Sequence, residues 1–403
     1  MVTLLALIAI AQPSPQNTDT YQDVWRKVES AIRTRYYARE SRKDEMERLL
    51  STYGPLASSA RTRETFAIHV QKMIEEFGDS HFALETDADQ GFYFADAILR
   101  QENAKGLPFI GAWFEPAPNG QRVRYILNAS EAEEAGLRPG DVVIHAADRP
   151  FQPVYSFMTP QNKTVELTVQ RGSQQLTIHV QPQTQNAIDA FYAATMRSTR
   201  IIQHDGKRYA YGRIWSMIDR KFADHIYNWL LRGAGQNSDG FILDLRDGFG
   251  GRPENFYEPL FAPEHTIEWN MGQLTIKQLT GYQKPVVVLI NGGTRSAKEV
   301  VSAILKDSDR ALLVGSPTKG DVLGTFPLAI EDWAYLEIPM VDLRLNGKRL
   351  ERAPVEPHIH LPREYGDSAE DLFLARALQE LSQLSGQIRQ SSLEQRYPGG
   401  TRQ

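Results

Sequence analysis

Residues 284–299 read KPVVVLINGGTRSAKE, and the fold class can be predicted from this segment. Pro285 to Ile290 form an uninterrupted apolar run, which is typical of a strand buried on both faces of a sheet. A Gly-Gly turn follows, and Ala297 to Lys306 have the pattern of a helix. Buried strands that lead into helices are characteristic of mostly parallel sheets. The stretch therefore predicts an α/β fold.

The segments on either side extend this pattern. Further strands are predicted at 209–214, 240–245, 311–315 and 333–343, and further helices at 221–232 and 372–384. Near-continuous apolar strands separated by helices indicate an α/β core over residues 184–385. The polar tail 386–403 is predicted to be disordered.

Two regions of different character precede the core. Residues 12–104 are predicted to be an N-terminal helical region, which carries the GDSH motif at 78–81. Residues 105–183 contain short alternating apolar runs, which predict a small β-rich domain. Within it, NASEAEEAGLRPGD at 128–141 resembles a stretch of PDZ domains, which bind peptides by strand addition. Because Pro108 lacks an N–H donor in the corresponding carboxylate loop, a peptide-binding module and a structural spacer both remain open.

Composition excludes several classes of protein. With 403 residues, 41% hydrophobic and 24% charged, the chain is neither wholly disordered nor collagen nor a polytopic membrane protein. The net charge of −5 provides no electrostatic footprint for nucleic acid or an anionic membrane surface. The absence of cysteine excludes disulfides, a thiolate nucleophile and sulfur-ligated metal sites.

The N-terminus has a short apolar run. Leu4 to Ala11 end in Ala-Ile-Ala, a small-x-small sequence that favours a secretory signal peptide over residues 1–11, with a frayed N-terminus as the alternative. The run is far shorter than the ~20 residues of a membrane helix. We therefore expect a secreted or periplasmic protein without an integral membrane span, and the oligomeric state stays open.

Two loops at predicted strand ends are candidates for chemistry, because ligands of α/β sheets gather there. Residues 243–251 are glycine-rich, and in 291–299 Ser296 lies at a helix start, where the positive end of the helix dipole favours an oxyanion. Taken alone, Ser296 with Glu299 is more typical of a capping box. The glycines would equally suit a phosphate or a coenzyme A arm, although GxxxxGK[ST], GxGxxG and GxSxG are absent.

Four ordered motifs point to one family. These are GFILDLRDGFGG at 240–251, KPVVVLINGGTRSAKE at 284–299, LKDSDRALLVGSPTKG at 305–320 and NGKRLERAPVEPHI at 346–359. They resemble the motifs of the carboxyl-terminal processing serine peptidases. The resemblance implies a crotonase-like α/β core with an inserted PDZ domain, and a serine peptidase that cleaves polypeptides without a metal or organic cofactor.

The resemblance also implies that Ser296 is the nucleophile, and the family has two ways of activating it. In one branch the base is a lysine 25 positions later, where this chain has Asp321, with Lys319 two positions earlier. In the tricorn-like branch the base is a histidine in an N-terminal SH motif, oriented by a glutamate. His81 and Glu351 match that pattern, so the resemblance implies a Ser-His-Glu arrangement, with Glu356 as the rival of Glu351.

Further roles follow from the same resemblance. Ser80 corresponds to an auxiliary polar residue, and the oxyanion hole is expected from the backbone amides of Ala297 and of Gly250 or Gly251. Arg295 and Lys298 replace small residues, which predicts a bulkier and more cationic entrance.

Three alternative functions remain open, and one pair of histidines is interpreted as having no function in the site. The chain would otherwise be an inactive peptide-binding scaffold, a Ser-Lys peptidase that uses Lys319, or an enzyme of acyl-coenzyme A chemistry. The pair His358 and His360 has no acidic or cysteine partner at metal-binding spacing, so we expect it to be solvent-exposed.

Overall fold

A computed structural model describes residues 21–160, 163–365 and 370–396. The chain divides into two units after Gly78, so the predicted helical region 12–104 spans this division and the GDSH motif lies across it. The predicted signal segment 1–11 and the last part of the predicted tail, 397–403, lie outside the described residues.

The described part of the first unit consists of three helices, α1 (Tyr21–Arg35), α2 (Lys43–Ser58) and α3 (Arg63–Phe77). Each buries apolar residues at helical spacing, as predicted for Phe66 and Val70 of α3. The Thr62 side chain accepts a hydrogen bond from the Thr65 N–H (3.1 Å) and caps α3 at its start. Gly78 ends the helix in the left-handed conformation (φ 64°) that glycine adopts readily.

The second unit begins with strand β1 (Ala83–Thr86), helix α4 (Gln90–Arg100) and a 3₁₀ turn (Gln101–Asn103). A β-rich segment follows, with β2 (Leu107–Phe109), β3 (Ala112–Ala117), β4 (Gly120–Ile126), α5 (Glu131–Glu134), β5 (Val142–Ala146), β6 (Arg149–Pro150), a 3₁₀ turn (Tyr155–Phe157), β7 (Val165–Arg171), β8 (Gln174–Val180) and β9 (Gln183–Gln185).

The β-rich segment forms an antiparallel sheet in the order β3-β4-β5-β7-β8, with β6 on β5. Strand β3 is therefore an edge strand, and β2 pairs with β9 where the chain enters and leaves the segment. The inward positions of the alternating runs, such as Val143, Leu167 and Val169, are fully buried in a core of their own.

The rest of the chain alternates helices and strands. The helices are α6 (Ala187–Ser198), α7 (Arg220–Arg232), α8 (Glu258–Phe261), α9 (Ala297–Asp307) and α10 (Leu372–Arg396), with 3₁₀ turns at Ala234–Asn237 and Glu254–Phe256. The strands are β10 (Arg200–His204), β11 (Lys207–Arg213), β12 (Ser216–Met217), β13 (Gly240–Asp244), β14 (Phe249–Gly251), β15 (Thr266–Met271), β16 (Leu274–Leu279), β17 (Val286–Ile290), β18 (Leu312–Gly315), β19 (Gly324–Glu331), β20 (Ala334–Val341), β21 (Arg344–Leu345), β22 (Lys348–Arg349) and β23 (Ile359–His360).

The central sheet has the strand order β10-β11-β13-β17-β18-β23. All pairings from β11 onward are parallel, and β10 is an antiparallel edge. This confirms the predicted mixed α/β class. Around the sheet lie β1-β20-β19, the hairpins β15-β16 and β21-β22, and the short pair β12-β14.

Strand β17 is buried on both faces, as its apolar run predicts. Val286, Val288 and Ile290 pack in one core with residues of α6, α7 and α9. Val287 and Leu289 pack in a second core with residues of α10. The carboxyl ends of β13 and β17 lie side by side, because Asp244 pairs with Leu289, and the two candidate loops leave the sheet from that edge.

Helix α10 differs from the prediction. It continues from Leu372 to Arg396, beyond the predicted end at residue 384, and 385–396 contains no proline that would stop a helix. No helix in the described ranges is both long enough and apolar enough to span a bilayer.

Candidate active site

Ser296 lies on a sharp turn between β17 and α9. Its backbone has φ 59° and ψ −132°, a conformation that residues other than glycine rarely adopt. The Ser296 N–H donates to the Asp321 carbonyl (2.8 Å) and to the Glu299 carboxylate (3.1 Å), which is the Glu299 half of the predicted capping box. The strained turn is thus held from two directions.

The turn before Ser296 is fixed by its own polar side chains. The Asn291 side chain accepts from the Gly293 N–H (2.9 Å), and the Asn291 N–H donates to the Thr294 hydroxyl (3.0 Å). That hydroxyl donates in turn to the Leu245 carbonyl at the end of β13 (3.1 Å). The two candidate loops are therefore joined directly.

Gly250 faces the serine from the second loop. A Cβ atom on Gly250 would lie 2.7 Å from the Ser296 Oγ and 2.9 Å from the Ala297 nitrogen, so the site has no room for any other residue. Gly251 (φ 144°) instead packs against the Met217 carbonyl oxygen, which a Cβ would approach to 2.1 Å. Gly250 and Ala297, both predicted from the sequence, are brought together beside the serine.

His81 precedes β1 and also has a left-handed backbone (φ 55°). Its Nδ1 lies 3.1 Å from the Ser80 Oγ. Its Nε2 is buried and has no hydrogen-bond partner among the described residues, so it does not bond the Ser296 hydroxyl in this structure.

Glu351 is buried and reaches His81 through Ser80. The Ser80 hydroxyl donates to Glu351 Oε2 (2.9 Å), and the N–H groups of Val322 (2.8 Å) and Leu323 (3.2 Å) donate to the same oxygen. In this structure the Ser80 hydroxyl lies between the glutamate and the imidazole.

The rival glutamate is placed differently. The Glu356 side chain is exposed, and the contact made by this residue is through its carbonyl, which accepts from Lys306 Nζ (2.8 Å). Of the two candidates, Glu351 is the one that bonds the residue next to His81.

One loop connects the separated parts of the site. Asp321 accepts from the Ser296 N–H through its carbonyl, and the next residue, Val322, donates to Glu351. Glu351 bonds Ser80, and Ser80 bonds His81. Sequence reasoning missed the contribution of residues 321–323, because it is made by the backbone and leaves no side-chain signal.

Burial controls the charge of His81. Desolvation, with a smaller contribution from the nearby cations Arg295 and Lys319, lowers the pKa of His81 to about 3. The imidazole is therefore neutral at pH 7. Lys319 is 43% exposed and forms an ion pair with Asp321 (Nζ to Oδ2 2.9 Å).

The two cationic residues near Ser296, Arg295 and Lys298, have different surroundings. The Arg295 guanidinium lies 5.5 Å from the centre of the Phe249 ring. Lys298 is fully buried, and its Nζ donates to the Asp247 carbonyl. The prediction that Lys298 lines the entrance was wrong, because the loop after β13 covers it.

The histidine pair at the end of the sheet has no metal-site geometry. The Nδ1 of His358 accepts from the Leu313 N–H (2.9 Å), and both His358 and His360 are exposed. Within the part of the chain that the structure describes, no three His, Cys, Asp or Glu side chains are grouped to hold a metal ion.

Comparisons with known proteins agree with the motifs. Residues 208–361 match peptidase family S41. The carboxyl-terminal-processing protease of Synechocystis sp. is 29% identical over 231 residues, 53% of this chain and 53% of that protein. The carboxy-terminal processing protease CtpA of Bacillus subtilis is 22% identical over 307 residues, 72% of this chain and 62% of that protein. The chain thus spans about half to three fifths of the length of these relatives.

Two solved structures share the fold. The photosystem II D1 C-terminal processing protease has a TM-score of 0.54 at 19% identity, covering 85% of this chain and 93% of that one. The tricorn protease has a TM-score of 0.55 at 16% identity, covering 91% of this chain and 37% of that one. Residues 208–361, which contain Ser296, Lys319 and Glu351, are a match to peptidase family S41, and the predicted resemblance to carboxyl-terminal processing peptidases is confirmed.

Proposed function

We propose that the protein is a serine peptidase that cleaves polypeptides through an acyl-enzyme intermediate. Ser296 is the nucleophile, His81 the general base, and Glu351 acts on His81 through the Ser80 hydroxyl. The observation that carries the proposal is the run of contacts from Ser296 through residues 321–322, Glu351 and Ser80 to His81.

The state of His81 suits a base. A general base must be neutral before the reaction, and burial keeps this imidazole neutral. Its Nδ1 is engaged by Ser80, which leaves Nε2 as the nitrogen available to take the Ser296 proton and return it to the leaving amine. The reaction requires Nε2 and the Ser296 hydroxyl to come within hydrogen-bond distance when substrate binds.

The carboxylate of Glu351 has a distinct task. Because the Ser80 hydrogen points to Glu351, the Nδ1–H of His81 donates to the Ser80 Oγ both before and after Nε2 takes up its proton. The buried carboxylate thereby stabilises the imidazolium without touching it. The Val322 and Leu323 amides hold Glu351 in place.

The oxyanion of the tetrahedral intermediate needs backbone donors beside Ser296. The Ser296 N–H is already bonded to Asp321 and Glu299, so it is a poor candidate. Ala297 lies at the start of α9, where amides lack partners within the helix, and Gly250 approaches it closely. We assign the oxyanion hole to these two residues, with Gly251 as their neighbour; loss of one donor costs roughly 3 kcal/mol.

The finer domain assignments belong to the same proposal. We assign residues 105–183 to a PDZ-like domain and 184–385 to a crotonase-like core; of the predicted helical region 12–104, residues 12–20 lie outside the described residues and the rest is mostly helical. Export to the periplasm or the cell exterior rests on the apolar run at 4–11. No step of the proposed reaction calls for a metal or organic cofactor.

The contacts of edge strand β3 favour the structural spacer over a peptide-binding module. The Gln90 side chain donates to the Ala112 carbonyl (3.0 Å) and accepts from the Phe114 N–H (3.0 Å). These are backbone groups that an added peptide strand would use. We expect no fluorescence change at Trp113 when a peptide with a free C-terminus is titrated to 1 mM. A saturable change would support peptide binding instead.

Replacing the nucleophile tests the proposed activity. Ser296→Ala should abolish both fluorophosphonate labelling and cleavage of an unfolded polypeptide, because the attacking oxygen is removed. The control is Ser238→Ala, which removes a hydroxyl that contacts the Tyr282 hydroxyl (3.0 Å) at the other end of the sheet and should leave both unchanged. Cleavage by Ser296→Ala would contradict the proposal, whereas peptide binding by the unaltered protein with neither labelling nor cleavage would favour the scaffold.

A further inference from the structure

Lys298 is a charged residue in a place where charge is costly. It lies two residues after Ser296, in the first turn of α9, and is 0% exposed. Burial, with the neighbouring cation Arg213, lowers the pKa of Lys298 to about 7. An apolar residue of the same length would fit a buried helix face without this cost. Its contacts therefore call for an explanation.

Among the described residues, the hydrogen bond of the Lys298 side chain goes to the loop that carries Gly250. The Lys298 Nζ donates to the Asp247 carbonyl, and it lies 3.2 Å from where a Cβ on Gly248 would be. No hydrogen bond joins it to Ser296 among the described residues. The hydrogen bond of the Lys298 Nζ thus goes to the opposite loop and not to the nucleophile, which argues against a role as a second base.

Asp247 and Gly248 form the turn at the start of the loop that carries Gly250. Both have left-handed backbones (φ 52° and 71°), so the chain here reverses away from the sheet. The Asp247 carboxylate accepts from Arg213 (3.0 Å) and from the Asn291 side chain (3.2 Å). The backbone N–H of Asp247 donates to Asn291 Oδ1 (3.2 Å). The Asp247 carbonyl is held by Lys298 alone among the side chains described.

Only one residue, Phe249, separates this anchored turn from Gly250. The Phe249 N–H donates to the Trp215 carbonyl (2.9 Å), which fixes the next link. Lys298 belongs to α9, the helix that directly follows Ser296, so it connects this helix to the loop that carries Gly250.

We propose that Lys298 is a positioning residue, which sets the separation between Ser296 and the Gly250 backbone by holding the Asp247 carbonyl. The inference rests on the proposed function. It predicts that Lys298 contributes to stabilisation of the transition state and little to the affinity for substrate. A displacement of about 1 Å in such a site can lower the rate 10²-fold.

The test compares Lys298→Met, which keeps length and loses the donor, with Lys298→Gln, whose amide can still donate. Lys298→Met should lower kcat for a quenched fluorescent peptide about 10- to 100-fold with KM within about threefold. Affinity for a peptide boronate should fall in parallel with kcat, since the boronate mimics the tetrahedral intermediate. Lys298→Gln should recover part of the loss.

Lys284→Met is the matched control. Lys284 is also partly buried and donates to two carbonyls, those of Gln236 (2.9 Å) and Ser238 (2.6 Å), next to the amino end of β17. It should keep kcat within about twofold, because it lies at the opposite end of the strand from the site. An equal loss of kcat in both variants would overturn the proposal, since it would show a general effect on folding.

A measurement independent of turnover completes the test. Amide hydrogen exchange across residues 246–252 should be faster in Lys298→Met than in the unaltered protein, with the melting temperature within about 5 °C. Unchanged exchange with unchanged kcat would overturn the proposal. If the unaltered protein shows no turnover, the proposed function fails, and the exchange comparison alone decides whether Lys298 positions the loop.

Discussion

The two candidate bases, His81 and Lys319, differ in the way that decides which can accept a proton. His81 is buried, neutral and has an Nε2 without a hydrogen-bond partner among the described residues. The Lys319 side chain is 43% exposed and ion-paired with Asp321 at 2.9 Å. The Lys319 nitrogen is therefore already engaged by a carboxylate, whereas the His81 Nε2 is not engaged by any described group. Burial without an ionic partner is thus the feature that makes a base.

The largest effect is expected from removing the histidine. His81→Ala should lower kcat/KM about 10⁴-fold or more, because the proton of Ser296 then has no acceptor. The rate of fluorophosphonate labelling should fall with it. Retention of more than about 1% of the activity would contradict the assignment of His81 as the base, because general-base catalysis contributes at least about 10²-fold to the rate.

A smaller effect is expected from removing the hydroxyl between His81 and Glu351. Ser80→Ala should lower kcat/KM about 10- to 100-fold, since the imidazole loses its orienting contact but remains in place. The Ser238→Ala variant provides the control. If Ser80→Ala is fully active while Glu351→Gln is not, the glutamate acts on the histidine without the bridge.

The acid side of the pH profile tests whether His81 stays buried in the working enzyme. Because the pKa of His81 is lowered, the active neutral form is present above that pKa and is lost as pH falls through it. We expect kcat/KM at pH 5 to stay within about threefold of its value at pH 7.5. A base with the ordinary pKa of ~6.5 would lose roughly 30-fold over that interval. A fall of that size would show that His81 is solvated in the working enzyme.

The smallest effect is expected from Lys319. Lys319→Ala should keep kcat/KM within about twofold at pH 7.5, because the lysine serves no proton transfer. Removing its charge should move the acid limb of the profile to higher pH, since Lys319 helps to lower the pKa of His81. A large loss at pH 7.5 in Lys319→Ala, with His81→Ala active, would restore the Ser-Lys alternative.

Local pattern is enough to predict the strand and helix around Ser296. The apolar run and the Gly-Gly turn predict β17 and α9 to within one residue at each end, because both elements are defined by neighbours in sequence. The end of the C-terminal helix α10 is predicted less accurately, because no glycine or proline marks where the helix stops.

The relations across the site are beyond local pattern. Ser80 and Glu351 are separated by 271 positions, and only the family resemblance suggests that they meet. That resemblance names the residues but not the order of contacts, so the bridging role of Ser80 needed the structure. The burial of Lys298 also depends on a loop some 50 residues away, which the pattern of α9 does not contain.

The strained backbone at Ser296 has a practical consequence. A left-handed conformation of this kind costs a residue with a side chain about 1–3 kcal/mol, and glycine pays little of it. Ser296→Gly should therefore yield a protein that melts higher while it has lost the reactive oxygen. Such a variant would bind polypeptides without cleaving them. Mass spectrometry of the polypeptides that co-purify with it from cells would identify its natural substrates.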